Sequence, residues 1–451
     1  MLLDGTRPSS PWPDYRAVWR WHFYAGLFCF PFVVVLAISG TIYLFTPQIE
    51  AWLDRPYDHL AVTGQPAGAA AQAQAALAAV PGSTLFAYEL PTAPDTAVRV
   101  IVKRGDERLR VYLHPETLAV LKVVGEEDRL MRVIFRLHGE LLAGNIGSAI
   151  VETASSWTIV MIATGLSFWW PRSERGLGGV LYPRLGRGGR AFWHDLHAVT
   201  GFWISFFVLF LLLTGLPWAK VWGEYFKSVR RLTGTAVARQ DWTVGAERSG
   251  TASGGHGDHP GAPMGKSGSI KTAPDYSALD RLIETVRPLD LPPPVLLSPP
   301  AKAGAPWTAK SDTQNRPLRV NLTLDGATGA ILKREDFKDR HVLDRMVGIG
   351  VAAHEGQLFG WPNQVVGALT ALGLLTLAAS SVTMWWRRRA PGVLGAPEAL
   401  QPPRFSKGLP ALVLLFSLYL PLFAASLIVV LLTEHFMLRR IPAARNWLGL
   451  A

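Results

Sequence analysis

Five stretches of this chain, residues 23–45, 149–170, 198–218, 365–386 and 411–432, run apolar for the roughly 20 residues that cross a bilayer core as a helix. Backbone polar groups in hydrocarbon must be satisfied within the segment, and a helix does this alone. The sequence therefore defines an integral membrane protein, mostly α, built as a helical transmembrane bundle. The first stretch does not read as a cleaved signal: its core is too long for one, and Phe45-Thr-Pro-Gln-Ile-Glu50 offers no small-residue cleavage site. Positive mean hydropathy and Trp pairs at the ends of apolar runs agree with membrane placement. Cys29 is the only cysteine, which excludes disulfides, thiolate zinc sites and iron–sulfur clusters within one chain.

The net charge of +11 lies largely in short segments beside the apolar runs. That placement points to a lipid bilayer rather than nucleic acid, for which no motif is present. Arg7, Arg16 and Arg20 precede the first run; Arg172, Arg175, Arg184, Arg187 and Arg190 follow the second; Arg387, Arg388, Arg389, Arg404 and Lys407 follow the fourth. The positive-inside rule makes these segments cytoplasmic and sets the long segments 46–148 and 219–364 outside. On this count the tail 433–451, with Arg439, Arg440 and Arg445, falls outside and breaks the rule, so the fifth run has the weakest support.

The chain is also a tandem repeat. Arg136-Leu-His138-Gly-Glu-Leu-Leu142-Ala-Gly144 aligns with Ala352-Ala-His354-Glu-Gly-Gln-Leu358-Phe-Gly360. The same register carries Trp169-Trp170-Pro-Arg172 onto Trp385-Trp386-Arg-Arg388. The runs beginning at Phe23 and Ala198 also correspond, with His22 on His197, Gly26 on Gly201 and Ser39-Gly40 on Thr214-Gly215. Between each pair of runs, Leu113-His-Pro-Glu-Thr117-Leu-Ala-Val-Leu-Lys122 aligns with Leu324-Asp-Gly-Ala-Thr328-Gly-Ala-Ile-Leu-Lys333. The unit is span, outer domain, span, used twice, with the fifth run added.

Each outer segment opens with a helical pattern (70–79 and 276–286), followed by alternating strands such as 98–102, 109–113, 118–124 and 318–324. Asp325-Gly326 between apolar runs is a hairpin signal. Two small α+β domains are expected, the second carrying a Gly/Ser-rich flexible insertion at 243–269. His256 and His259 within it read as exposed loop histidines rather than weak metal ligands.

Four histidines recur as two layers. His22 and His197 stand at the cytoplasmic starts of two spans, and His138 and His354 stand at the outer starts of the others. Shared ancestry alone would preserve such pairs, but a polar side chain kept at membrane depth is costly and commonly functional. A closed zinc site wants four ligands, and each layer offers two imidazoles. Glu140 and Glu355 keep a non-haem metal open in the outer layer, and Asp195 lies near the inner one. A b-type haem brings four equatorial nitrogens and needs only axial ligands. Gly26 and Gly201, each one turn after a histidine, would admit a flat macrocycle, although small residues also serve helix packing. His194, one turn before His197, is a further candidate ligand or propionate contact, ranked lower because its repeat counterpart is Trp19.

The span–domain–span repeat, the Trp169-Trp170-Pro-Arg172 exit and the turn Asp325-Gly-Ala-Thr-Gly-Ala-Ile-Leu332 resemble the PepSY-associated transmembrane family, through Arg389. That family includes iron-regulated inner-membrane proteins and ferric-siderophore reductases. The resemblance implies two periplasmic PepSY-like domains in the bacterial inner membrane, two haems b on His22, His138, His197 and His354, and electron passage to the periplasm. One departure stands out: His114-Pro115-Glu116 replaces the usual Asp-Pro or Asp-Gly turn, and Leu118 replaces the usual Gly.

The expected activity is oxidoreduction: a dihaem conduit reducing a ferric siderophore or other ferric chelate. No nucleotide fold accompanies it, since Gly348-Ile349-Gly350 follows no expected strand, so the donor is a separate cytoplasmic reductase, soluble carrier or quinol. The competing reading is a PepSY protein that binds a peptide or regulates a protease without redox chemistry. A transport component is disfavoured because no ionisable residues line the middle of the spans as a proton relay would require. Arg99, Lys103, Arg104 and Arg110 would attract an anionic chelate or form a solvated strand face.

Overall fold

The computed structural model describes residues 15–169, 176–235, 276–302, 304–397 and 408–450. The insertion at 243–269 with His256 and His259, and Arg7, Trp170, Arg172, Arg175, Arg404 and Lys407, lie outside the described residues. In chain order the elements are α1 (Tyr15–Leu44), α2 (Thr46–Asp54), α3 (Ala69–Ala79), β1 (Thr84–Glu89), β2 (Val98–Arg104), β3 (Glu107–Leu113), β4 (Val120–Gly125), α4 (Leu130–Glu140) and α5 (Gly144–Trp169). Then follow α6 (Gly189–Gly215), α7 (Lys220–Leu232), α8 (Ala278–Val286), β5 (Val295–Ser298), β6 (Trp307–Ser311), β7 (Val320–Leu324) and β8 (Ile331–Asp336). The chain closes with α9 (Val342–His354), α10 (Trp361–Arg388), α11 (Gly408–Tyr419), α12 (Pro421–Phe436) and α13 (Pro442–Leu448). Two compact units result: Met1–Leu44, Ile134–Ala238 and Trp361–Ala451 form one, and Phe45–Val133 with Arg239–Gly360 the other.

In the first unit α1 packs against α5 and α10, and α6 packs against the same two, so α1 and α6 stand diagonally across a four-helix arrangement. Lipid supplies no hydrophobic drive between helices, so close approach at small residues carries the packing. A Cβ added at Gly373 would stand 2.7 Å from Ile204 Cγ2, and one at Gly367 would stand 2.7 Å from Leu44 Cδ1. A Cβ added at Gly26 would stand 3.6 Å from Met161, and one at Gly201 would stand 3.6 Å from Leu377. Both pairs occupy equivalent repeat positions, so the two halves pack by the same rule. α1 and α6 begin at Tyr15 and Gly189, well before the apolar runs, and so enclose His22 and His197 within helix.

Among the described residues five helices are long and apolar enough to cross a membrane: α1, α5, α6 extended to Trp218, α10 and the stretch Pro421–Arg440. The expected fifth run at 411–432 is not one helix. Pro421 has no N–H and disfavours helical backbone at the residue before it. Leu420 accordingly leaves the helix at φ −122 and ψ 85. A break at membrane depth must find partners for its freed carbonyls. Trp222 Nε1 donates to the Tyr419 carbonyl at 2.9 Å, and the Tyr225 hydroxyl donates to that of Leu418 at 3.0 Å. Both donors sit on α7, whose first amides are received by Ser148 and Glu152 of α5.

The tail returns to the end of the bundle where α1 begins. The Tyr24 hydroxyl donates to the Leu448 carbonyl, Leu394 N–H donates to the Trp447 carbonyl at 2.9 Å, and Arg20 reaches the Pro397 carbonyl at 2.6 Å. The chain thus leaves Pro397 at that end, meets α7 at Tyr419, and comes back along α12. The charge count set the tail on the opposite side. Its segment with Arg439, Arg440 and Arg445 instead joins the end that carries Arg16 and Arg20, which removes the exception to the positive-inside pattern.

The second unit is one α+β body rather than two separate domains. Each half contributes a four-stranded meander, and antiparallel pairing of β1 with β5 fuses them into a sheet ordered β4-β3-β2-β1-β5-β6-β7-β8. Helices α3 and α8 share one core with it, including Ala73, Ala76, Val100, Val111, Leu279, Leu282, Leu297 and Leu322. The second half also caps the first: Asp280 of α8 receives the Ala69 N–H that opens α3, at 2.6 Å.

The atypical turn of the first half keeps the geometry of the second by other means. Asp325 Oδ1 receives the N–H groups of Ala327 and Thr328 at 2.7 and 3.2 Å, while His114 Nδ1 receives those of Glu116 and Thr117 at 3.3 and 3.2 Å. An imidazole lone pair has replaced a carboxylate. Leu118 stands at φ +61 where its counterpart Gly329 has φ +75. A side chain in that region costs about 1–2 kcal/mol. Leu118→Gly is therefore expected to stabilise the unit by about 1 kcal/mol after the added freedom of the unfolded chain is deducted. Thermal unfolding measures it, and a lowered Tm would show that Leu118 packing outweighs the backbone strain.

Candidate functional site

His22 lies two turns into α1, and His197 lies at the matching place in α6, on the bundle diagonal. His22 Nδ1 is 2.9 Å from Thr164 Oγ1 of α5, and His197 Nδ1 is 3.1 Å from Ser380 Oγ of α10. The register that places Trp169 on Trp385 also places Thr164 on Ser380, so the contacts are repeat equivalents. Phe168 meets the His22 ring edge-on at 5.9 Å, and Gly165 leaves the ring room: a Cβ there would stand 3.2 Å from Cε1.

The hydroxyl geometry suits one tautomer. Thr164 Oγ1 donates to the Val160 or Met161 carbonyl at 2.9 or 3.1 Å, and Ser380 Oγ donates to that of Leu377 at 3.1 Å. A hydroxyl has one proton, and when that proton serves the helix its oxygen accepts from imidazole Nδ1–H. Nε2 then carries the lone pair, the form in which histidine ligates a metal.

His138 of α4 repeats the pattern at the other end of the bundle. Its Nδ1 is 3.1 Å from Ser39 Oγ, whose proton goes to the Val35 carbonyl at 2.7 Å. Gly40 admits the ring, since a Cβ there would stand 2.9 Å from His138 Cε1. Ser39 lies seventeen residues beyond His22 along α1, a rise of about 25 Å. Two residues before His138, Arg136 Nε is buried without a hydrogen-bond partner.

The remaining candidates fall elsewhere. His354 closes α9 in the second unit. Its neighbour Glu355 is buried 3.4 Å from Arg316 Nη2; burial raises its carboxyl above the ordinary range, against the opposing pull of Arg316 and Arg319. His194 is not directed into the bundle: its side chain is 67% exposed, and its Nδ1 lies 3.5 Å from Asp195. Asp195 is fully buried and committed to Arg184, which grips both oxygens at 2.6 and 2.9 Å. Among the described residues no three His, Cys, Asp or Glu side chains gather as a metal site. Trp169 and Trp385 bind loop carbonyls, those of Val180 and Leu394, each at 2.8 Å.

Sequence reasoning did not single out Thr164, Ser380 or the contact of Ser39 with His138. The repeat register held the signal for the first two. For haem the fit at the first pair rests on the donor set, two imidazoles on diagonal helices with Nε2 as the free-electron-pair nitrogen; near His138, at the other end of the bundle, it rests on the orphaned guanidinium nitrogen of Arg136, suited to a propionate.

Residues 19–388 match the family described as PepSY-associated TM region, and the chain belongs to it. It is a multi-pass membrane protein of that class. No curated protein matches the chain.

Proposed function

We propose that this chain is an inner-membrane b-type haem electron-transfer protein that reduces a ferric siderophore or other ferric chelate in the periplasm. The observation that carries the reading is the diagonal pair His22 and His197, each fixed at Nδ1 by a hydroxyl at the same repeat position. Bound haem supplies a one-electron Fe(III)/Fe(II) couple. His22 and His197 would hold its iron through Nε2. His138 and His354 enter as the second ligand pair by repeat symmetry of the sequence, with Arg136 available to a propionate. The Lys/Arg pattern sets the first pair toward the cytoplasm, where a separate reductase or quinol delivers electrons, and the second toward the chelate.

Protein purified from haem-replete cells is expected to show a Soret band and, on reduction, a sharp α band. After dithionite reduction, a bulky ferric chelate that cannot enter the membrane should reoxidise it, as followed by stopped-flow absorbance. Colourless protein overturns the haem reading. A coloured protein that no ferric chelate reoxidises overturns the substrate.

A further inference from the structure

We infer that Thr164 and Ser380 are positioning residues, holding His22 and His197 in the Nδ1–H tautomer and so setting how strongly Nε2 binds haem iron. This rests on the haem reading and deepens it.

Within a membrane helix a Ser or Thr hydroxyl satisfies itself by bonding the carbonyl three or four residues back. Thr164 and Ser380 do that through their protons, so neither needs the imidazole. The contact with histidine is additional, and it occurs at equivalent positions of two halves whose surroundings differ: Gly165 lies beside His22, and Ser381 follows Ser380. Ser39 makes the same arrangement with His138 from the other helix of the repeat, α1 rather than α5. Three histidines thus meet one solution from three different helices. A hydroxyl oxygen accepting from Nδ1–H fixes both the tautomer and the ring orientation, and it pushes electron density toward Nε2. The donation is weaker than that to a carboxylate, so the ligand stays a neutral imidazole.

The test uses the full chain with ring-¹⁵N histidine, haem-free and haem-loaded. In haem-free protein the His22 signal, assigned by its loss in His22→Ala, is expected to show a protonated Nδ1. Thr164→Val keeps the side-chain shape and removes the oxygen; it should redistribute that tautomer, while Thr164→Ser should retain it. With haem, Thr164→Val is expected to weaken binding about tenfold or more and to raise the midpoint potential, because a less electron-rich imidazole favours the ferric state less. Thr164→Ser should restore both. Ser380→Ala and Ser380→Thr form the matching pair for His197. Wild-type His22 protonated at Nε2, or Thr164→Val with unchanged tautomer, affinity and potential, overturns the inference. If wild-type protein binds no haem yet Thr164→Val shifts the tautomer, the haem reading fails and the positioning role stands.

Discussion

Replacing His22 or His197 with Ala is expected to remove one of two haem equivalents and leave the other. In the proposed site each imidazole is one of two ligands, and among the described residues no group of three His, Cys, Asp or Glu side chains gathers to take its place. Asp195 is held by Arg184, and His194 faces away. Haem per protein, measured after extraction into pyridine, should fall by half. His138→Ala should cause an equal loss with a different residual spectrum, since its site lies about 25 Å along α1 from the first. His194→Ala should change neither quantity; a loss equal to that of His197→Ala would make His194 the ligand.

Arg110→Met is expected to destabilise the second unit by about 3–5 kcal/mol, the usual consequence of removing one partner from a buried ion pair. Arg110 is 8% exposed and joins two carboxylates, with Nη1 2.6 Å from Glu89 and Nε bonded to Glu126. Burial opposes ionisation of Glu126, but Arg110 and Arg129 outweigh it and hold its carboxyl below the ordinary range. A depressed carboxyl stabilises the fold above its unfolded pKa, about 4.3, and that contribution is lost as pH falls through the lower folded value. In Arg110→Met burial dominates and the preference reverses. The stability gap between wild type and variant should therefore narrow from pH 8 to pH 4.5, as read by hydrogen exchange of the sheet amides. A gap that stays constant would show that the guanidinium acts by packing alone.

The transmembrane helices and the repeat were legible because each rests on a local pattern: sustained apolar length, or the same residues in the same register. Local pattern also misled at the C-terminus. Pro31 sits inside α1 without breaking it, whereas the helix parts at Pro421. The difference is distant in sequence, since the carbonyls near Pro421 are received by Trp222 and Tyr225. The same limit applies to the sheet. β7 alternates cleanly and announces itself, while β5 is a four-residue run whose identity comes from pairing with β1 across half the chain. His114 read as a departure from the family turn because sequence compares residue types, whereas the backbone asks only for an acceptor at the right place. The histidines of the candidate site were legible as repeated polar residues in apolar runs. Their hydroxyl partners were not, because Ser and Thr are common in membrane helices and only the fold shows which ones face an imidazole.

The seam between β1 and β5 also constrains how the protein is made. Residues 90–294 lie between the two strands and include α5 and α6. At roughly 5–20 residues per second, a ribosome takes on the order of 10–40 s to deliver β5 after β1. Throughout that interval β1 presents an open edge, the surface most prone to recruit a foreign strand. The helix start at Ala69 likewise waits for Asp280. Neighbouring nascent chains on one message each offer a β5 to the other's β1, so the order of synthesis favours exchanged halves whenever translation of the intervening spans stalls.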